Sequence, residues 1–154
     1  IVNFLSSVRV PAVGGNTGLL DSRLAYGKLD LSQKAELEGA YIWVRASEIS
    51  DFKRAAPHEL PPDVRHPVLL PHPITGQIAL YLPDSSTGIQ TKDGRPWGTA
   101  QSLIDSSQQK LGIFEHVWTA GDLVIMDNLQ VMHRGMGGYG DQARLLYRCQ
   151  ARIS

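Results

Sequence analysis

One histidine and two arginines near the end of the chain have types and spacings that could support chemistry. His133 follows the apolar run Leu123 to Met126, and Arg144 and Arg148 come shortly after it along the chain. An imidazole can bind a metal ion, and a guanidinium group can hold a carboxylate through paired hydrogen bonds. If both capacities are used, the pattern predicts a metal site with an organic acid bound beside it.

The pattern of the arginine segment leaves two interpretations open. Alternate residues of a β-strand share a face, and one face here would hold Arg144, Leu146, Arg148 and Gln150. At about 3.3 Å per residue, the two arginines would lie about 13 Å apart. They could form the solvated face of an edge strand, or line the inside of a barrel, where buried cations need anionic partners. We expect Cys149, on the opposite face, to lie in the core.

Composition excludes several classes of protein. The 154 residues suit one domain, and a hydrophobic content of 42% is enough for a core. Fifteen basic residues balance fifteen acidic ones, so we expect neither a nucleic-acid partner nor an acidic membrane surface. A single cysteine fits a reducing, cytoplasmic compartment, and no apolar run reaches the roughly 18 residues of a membrane span. The sequence does not set the oligomeric state and leaves a homo-oligomer open.

The elements that must position these residues are mainly short β-strands. Hydrophobic alternation and turn residues predict strands at Val2–Val10, Tyr41–Ala46, Val68–Leu70, Ile78–Leu82, Phe114–Thr119, Leu123–Met126, around Val131 and at Ala143–Ile153. Helical spacing predicts Leu19–Leu29, a helix capped by Asp30 or Ser32 that ends at Glu38, and Thr99–Leu111. Loops are predicted at Asp51–Pro67 and Pro83–Gly98. This order predicts an antiparallel sandwich or barrel with helical insertions.

Four sequence blocks then occur in a familiar order. They are Val10-Pro11-x-x-Gly14-Gly15-Asn16-Thr17, His66-Pro67-Val68 with His72-Pro73-x-Thr75-Gly76, Trp118-x-x-Gly121-Asp122 through Asp127-Asn128 to His133, and Arg144-x-x-x-Arg148. Together they span nearly the whole chain. In this order they resemble the TauD/TfdA family of iron(II)- and 2-oxoglutarate-dependent dioxygenases.

The resemblance implies a fold, a reaction and a role for each matching residue. The fold would be a double-stranded β-helix, or jelly-roll, and the reaction would hydroxylate a small anionic substrate with dioxygen while 2-oxoglutarate becomes succinate. His133 would be the distal histidine of a two-His-one-carboxylate iron site. Arg144 and Thr17 would bind the far carboxylate of 2-oxoglutarate, and Arg148 would hold the sulfonate, sulfate ester or carboxylate of the substrate.

One departure from the family pattern is important. The family's other two metal ligands form a His-x-Asp or His-x-Glu pair ahead of the Gly-Gly turn, and no such pair occurs in this sequence, whose first histidine is His58. We therefore expect a single oxygenase domain that is incomplete at its N-terminus and inactive by itself. One alternative is a metal-free, inactive jelly-roll relative that binds a small acid or a protein partner. Another is a β-sandwich interaction module with His133 and the arginines on its surface.

Overall fold

Short antiparallel strands dominate the structure, a computed structural model that describes residues 1–45, 47, 56–82 and 88–152. The strands are β1 (Val2–Arg9), β2 (Thr17–Asp21), β3 (Tyr41–Val44), β4 (Val64–Pro67), β5 (Leu69–Pro71), β6 (Ile78–Leu80), β7 (Gly88–Gln90), β8 (Pro96–Thr99), β9 (Phe114–His116), β10 (Leu123–Asp127), β11 (Val131–Gly135) and β12 (Leu145–Ala151). The helices are α1 (Ser22–Gly27), α2 (Leu31–Leu37) and α3 (Ala100–Leu111), and Pro57–Glu59 form a 3-10 turn. The prediction of a mainly β fold with helical insertions is confirmed.

Two three-stranded antiparallel sheets carry the segments that hold the candidate site residues. Their strand orders are β10-β1-β12 and β11-β2-β9. Leu5 of β1 and Met126 of β10 are buried against Trp118, and Leu19 of β2 packs on the same cluster. The two sheets therefore face each other across a small apolar core.

A larger core lies beside this sandwich. It is enclosed by the four-stranded sheet β4-β3-β7-β8, the hairpin β5–β6 and the three helices. Leu37 of α2 and Ile42 of β3 are both 0% exposed, and Leu80 and Ile89 are 1% exposed. Met132 of β11 also packs against this core, so the strand that contains His133 contacts it.

The predicted helix Leu19–Leu29 is wrong in its first part. Leu19 and Leu20 belong to β2, where they pair with His133 and Met132 of β11. The helix begins only after Asp21, whose side chain accepts hydrogen bonds from the backbone N–H groups of the next turn. Pairing with a distant strand therefore overrides the local helical pattern. Leu24, which we predicted to lie on the apolar stripe, is 57% exposed.

The other two helices follow their local signals. Asp30, and not Ser32, caps α2, and it forms a capping box with Gln33. Thr99 caps α3 by accepting a hydrogen bond from the backbone N–H of Ser102. No helix among the described residues is long and apolar enough to cross a membrane.

Both predicted loops contain strands. Val64–Pro67 is β4 and Gly88–Gln90 is β7, and both pair with β3, while β8 begins at Pro96. The prolines and charged residues of these segments break the hydrophobic alternation that predicts a strand. Their backbone groups nevertheless pair with neighbouring strands. Residues 46, 48–55, 83–87 and 153–154 lie outside the described part of the chain. These residues include parts of both predicted loops and the ends of the predicted strands Tyr41–Ala46 and Ala143–Ile153.

The prediction that Cys149 lies in the core is also wrong. Cys149 is exposed, and its cross-strand neighbour in β1 is Phe4. Ile125 and Tyr147, on the same outer face, are 57% and 65% exposed. The alternation along β12 is as we predicted, but the described residues leave this face of the sheet uncovered.

Burial of α2 gives a direct test of the larger core. Leu37→Ala should lower the free energy of unfolding by about 2–5 kcal/mol, because it leaves a cavity at a fully buried site. Leu31→Ala is the matched control on the same helix, since Leu31 is 84% exposed, and it should change stability by less than about 0.5 kcal/mol. Urea unfolding measures both, and equal effects would contradict this packing.

Candidate functional site

A cavity of about 510 Å³ lies between the facing sheets and α3. His133 and Arg148 both line it. The structure therefore brings together the predicted metal ligand and the predicted substrate-binding arginine, which come from different sheets. We take this cavity as the candidate site.

The register of β11 against β2 places the imidazole. His133 pairs with Leu19, and Gly135 pairs with Thr17. Directly opposed residues of antiparallel strands project to the same face of a sheet. His133 therefore shares the inner face with Leu19, which packs on the core between the two sheets.

The register of β12 against β1 places the guanidinium group in the same way. Arg148 pairs with Leu5, and Gln150 pairs with Asn3. Leu5 and Asn3 are 7% and 1% exposed, so this is the inward face of the sheet. Arg148 and Gln150 both line the cavity from this face, and both remain exposed to solvent, so the cavity is open along β12.

The surroundings of His133 favour its neutral form. Burial lowers the pKa of the imidazole below its usual 6.5, and the positive charge of Arg148 lowers it further. A metal ion binds the neutral imidazole and not the protonated ring. Burial and the charge of Arg148 thus favour the neutral imidazole of His133, which is the form that binds a metal ion.

The charges in the cavity have one sign. Among the described residues that line it, Arg134 and Arg148 are cationic and none is Asp or Glu. Its polar lining also includes two hydroxyl side chains, Ser22 and Tyr81, and five neutral carboxamides, from Asn3, Gln101, Gln108, Asn128 and Gln150. An uncompensated arginine in a concave, partly apolar site attracts anions. The cavity is therefore suited to a negatively charged ligand.

Asn3 is the most deeply buried of these amides. Its Nδ2 donates to Oδ1 of Asn128 at 2.6 Å, while its own Oδ1 has no hydrogen-bond partner among the described residues. An unpaired buried acceptor costs about 1–3 kcal/mol. Asn3 thus keeps an unused acceptor beside the cavity, next to its cross-strand neighbour Gln150.

Thr17 and Arg144 do not line this cavity in the structure. Thr17 is 2% exposed, and its hydroxyl oxygen accepts a hydrogen bond from Nε1 of Trp118 at 2.9 Å. Arg144 donates from Nε to the carbonyl oxygen of Gly15 at 2.8 Å. The predicted 2-oxoglutarate ligands are thus grouped around the Gly14-Gly15 turn, apart from the wall formed by Arg148.

The backbone conformation of Gly15 and the approach of Arg144 both require glycine at this position of the turn. Its φ is +68°, a conformation that residues with a side chain rarely adopt. A Cβ atom here would also lie 3.1 Å from Cδ of Arg144. The glycine therefore lets the arginine side chain pack directly on the turn backbone.

A metal site is incomplete among the described residues. No three His, Cys, Asp or Glu side chains of residues 1–45, 47, 56–82 and 88–152 are grouped closely enough to hold a metal ion. His133 is chemically suited to iron(II), but one imidazole does not make the three-ligand set that such a site requires. The residues described here therefore do not fit an iron centre by themselves.

Several residues that line the cavity have no role in the sequence-based prediction of the site. They include Gln150, which shares the arginine face, and Asn3. The available signal was that Asn3 lies two residues before Leu5 in a predicted strand, so both side chains project from the same face. On α3, Gln101, Ile104 and Gln108 share one face by helical spacing, and all line the cavity. Only the tertiary structure shows that this face meets His133 and Arg148.

Comparisons with known proteins agree on one family. The sequence profile described as "Taurine catabolism dioxygenase TauD, TfdA family" matches residues 2–150. The chain is 32% identical over 142 residues to the alpha-ketoglutarate-dependent 2,4-dichlorophenoxyacetate dioxygenase of Cupriavidus pinatubonensis. This match covers 86% of this chain and 48% of that protein. The chain thus spans about half the length of the curated relatives it matches, 48% and 47% for two of them.

Solved structures agree with this result. The crystal structure of AAD-2 in complex with Mn(II) and N-oxalylglycine superimposes with a TM-score of 0.74 at 27% identity, covering 96% of this chain and 61% of that one. A taurine dioxygenase from Burkholderia xenovorans superimposes with a TM-score of 0.73 at 25% identity, covering 96% of this chain and 50% of that one. Taurine-dioxygenase-type proteins have a jelly-roll fold, so the predicted double-stranded β-helix is confirmed.

The pKa of His133 tests the proximity of Arg148. By NMR, the His133 ring should titrate below pH 6.5, and in Arg148→Gln its pKa should rise only part of the way back, because burial, the larger cause, remains. An unchanged midpoint in the variant would show that the guanidinium group does not face the imidazole.

The same shift makes stability depend on pH. Because the folded pKa of His133 lies below its unfolded value, the contribution of the neutral ring is present above about pH 6.5 and is lost as pH falls through the folded pKa. Urea unfolding at neutral and acidic pH should therefore show a smaller acid-induced loss of stability for His133→Asn than for the parent chain. An equal loss would contradict the shift.

Proposed function

Because the chain belongs to the taurine catabolism dioxygenase TauD, TfdA family, we propose that the protein is an iron(II)- and 2-oxoglutarate-dependent dioxygenase. The proposed reaction hydroxylates a C–H bond of a small organic anion with dioxygen and converts 2-oxoglutarate to succinate and carbon dioxide. The chain spans about half of its curated relatives, so the proposal concerns the activity of the whole protein.

One observation carries the proposal. His133 and Arg148 line a single cavity whose described lining contains no carboxylate side chain. The imidazole provides one metal ligand, and the guanidinium group provides a site for an anion beside it. A carboxylate, sulfonate or sulfate ester suits that group, because each presents two oxygens to the planar guanidinium fork.

The chain's own residues divide the work by position. His133 would be a ligand of iron(II), which supplies the oxidation chemistry when the complete ligand set is present. Arg148 would orient the substrate anion, and the apolar lining residues, including Leu20 and Ile104, would exclude water around it. The single cysteine, Cys149, fits a cytoplasmic setting.

Arg144 and Thr17 would bind the far carboxylate of 2-oxoglutarate. Only Nε of Arg144 is hydrogen-bonded among the described residues, which leaves its two terminal nitrogens available to an anion. The Thr17 hydroxyl accepts its hydrogen bond from Trp118, so its proton remains free to be donated. Both groups can therefore act as donors toward a carboxylate at the Gly14-Gly15 turn.

The test is succinate release by the whole protein. Purified protein with iron(II) and 2-oxoglutarate should release succinate when a small sulfonate, sulfate ester or aryloxy acid is added. The control is a set of uncharged analogues of the same size, which should not stimulate release. Anion binding without any succinate from the whole panel would instead favour the alternative of a metal-free, inactive acid-binding relative.

Arg148 gives the sharper mutational prediction. Arg148→Gln should raise KM for the anionic substrate roughly 10- to 150-fold, because it removes a charge-assisted contact worth about 1.5–3 kcal/mol. The KM for 2-oxoglutarate should change far less. Arg152→Gln is the matched control, since Arg152 is an exposed arginine outside the cavity lining. Steady-state kinetics would refute the assignment if both variants behaved alike.

Arg144 should show the opposite pattern. Arg144→Gln should raise KM for 2-oxoglutarate by a similar factor while leaving KM for the substrate nearly unchanged, because the carboxylate it is proposed to bind belongs to the co-substrate. Initial rates with 2-oxoglutarate varied at saturating substrate measure this effect. An unchanged 2-oxoglutarate dependence would remove this role.

A further inference from the structure

A hydrogen bond between a buried histidine and a partly exposed aspartate connects two parts of the fold that are distant in sequence. His72 is 8% exposed, and its Nε2 lies 2.8 Å from Oδ2 of Asp127. His72 lies in the loop of the hairpin β5–β6, while Asp127 is the last residue of β10. The function proposed above gives this pair no role.

The hydrogen bonds around His72 assign its tautomer. Nδ1 accepts a hydrogen bond from the backbone N–H of Thr75, with an N···N distance of 3.1 Å, and a longer one from that of Ile74, at 3.3 Å. A ring nitrogen that accepts hydrogen bonds carries no proton, so the proton of the ring is on Nε2. Nε2 therefore donates to the Asp127 carboxylate, and the loop backbone fixes the direction of that donation.

Asp127 in turn holds the tight turn that leads into β11. Its second oxygen, Oδ1, accepts the backbone N–H of Leu129 at 3.0 Å, and its carbonyl oxygen accepts that of Gln130 at 3.1 Å. Gln130 also reaches the same hairpin loop, since its Nε2 lies 3.4 Å from Oγ1 of Thr75. The turn 127–130 is thus attached to the β5–β6 loop by two side chains.

This attachment matters because β11 has little other support. Among the described strands, β11 pairs only with β2 and forms the edge of its sheet. After Gly135 the chain continues through a segment with three further glycines, Gly137, Gly138 and Gly140, which constrain the backbone weakly. His133 is the third residue of β11, close behind the anchored turn.

We infer that the hydrogen bond from His72 to Asp127 is a positioning device for His133. It fixes the start of β11 relative to the larger core and so sets where the imidazole lies across the cavity from Arg148. His72 and Asp127 are therefore positioning residues and do not touch the ligand. The value of this position for catalysis rests on the proposed function, where a displacement of about 1 Å could cost roughly 100-fold in rate.

The test measures the position of β11 against the larger core in the 154-residue chain without metal or 2-oxoglutarate. Met132, the neighbour of His133 in β11, packs against that core, so a nuclear Overhauser cross-peak should connect the Met132 side chain to the core. In His72→Phe, which keeps a planar ring but removes the donor, this cross-peak should be lost. Asp127→Asn should have the same effect, because its single side-chain oxygen cannot accept both the His72 proton and the backbone N–H of Leu129.

Two further variants separate positioning from general stability. His72→Gln places an amide N–H where Nε2 of the histidine was, and it should restore the cross-peak. Thr91→Val removes another hydrogen bond from a buried side chain to an aspartate, from Thr91 Oγ1 to Asp93 at 2.7 Å in the turn between β7 and β8, and should leave the cross-peak intact. If the cross-peak survives in both His72→Phe and Asp127→Asn, the pair only stabilises the fold and the inference is wrong. Because no turnover is measured, failure of the proposed dioxygenase activity would leave this result unaffected.

Discussion

The register of two antiparallel strand pairs is the constraint on which the site depends. Pairing of β2 with β11 sets His133 opposite Leu19, and pairing of β1 with β12 sets Arg148 opposite Leu5. A slip of one residue in either pair would turn its functional side chain to the outer face of the sheet. The small core of Leu5, Trp118 and Met126 resists such a slip, because a slip of β1 would expose Leu5.

The charge of the cavity follows from the same arrangement. The inward faces of β1 and β12 carry Leu5 and Leu146, which pack in the small core, and also polar residues that line the cavity. Arg148 lowers the pKa of His133, and its own charge is balanced by no carboxylate in the described lining. An anionic ligand would compensate that charge.

Local sequence signals predicted much of this structure, and their failures share one cause. The cap at Asp30 and the start of a helix at Thr99 could be predicted because a helix start depends on neighbouring residues. Leu19 and Leu20 were assigned to a helix because their strand partner lies more than a hundred residues away. Cys149 was assigned to the core because alternation shows which face a residue takes but not whether that face is covered.

The candidate site was predictable to a similar degree. Spacing and block order identified His133 and Arg148, which lie on regular strands whose faces can be counted. The position of the α3 carboxamides and the hydrogen bond between His72 and Asp127 depend on how distant elements pack, which no local sequence pattern predicts. The separation of Arg144 from the cavity wall has the same origin, since β12 begins only at Leu145 and Arg144 packs on the Gly14-Gly15 turn instead.

A crystal structure of the whole protein with Mn(II) and N-oxalylglycine would test the central claim most directly. An anomalous difference map should place manganese on the His133 imidazole, with the Arg148 guanidinium group facing the same cavity. Manganese bound away from His133, or an Arg148 side chain directed to the outer face of its sheet, would contradict the account.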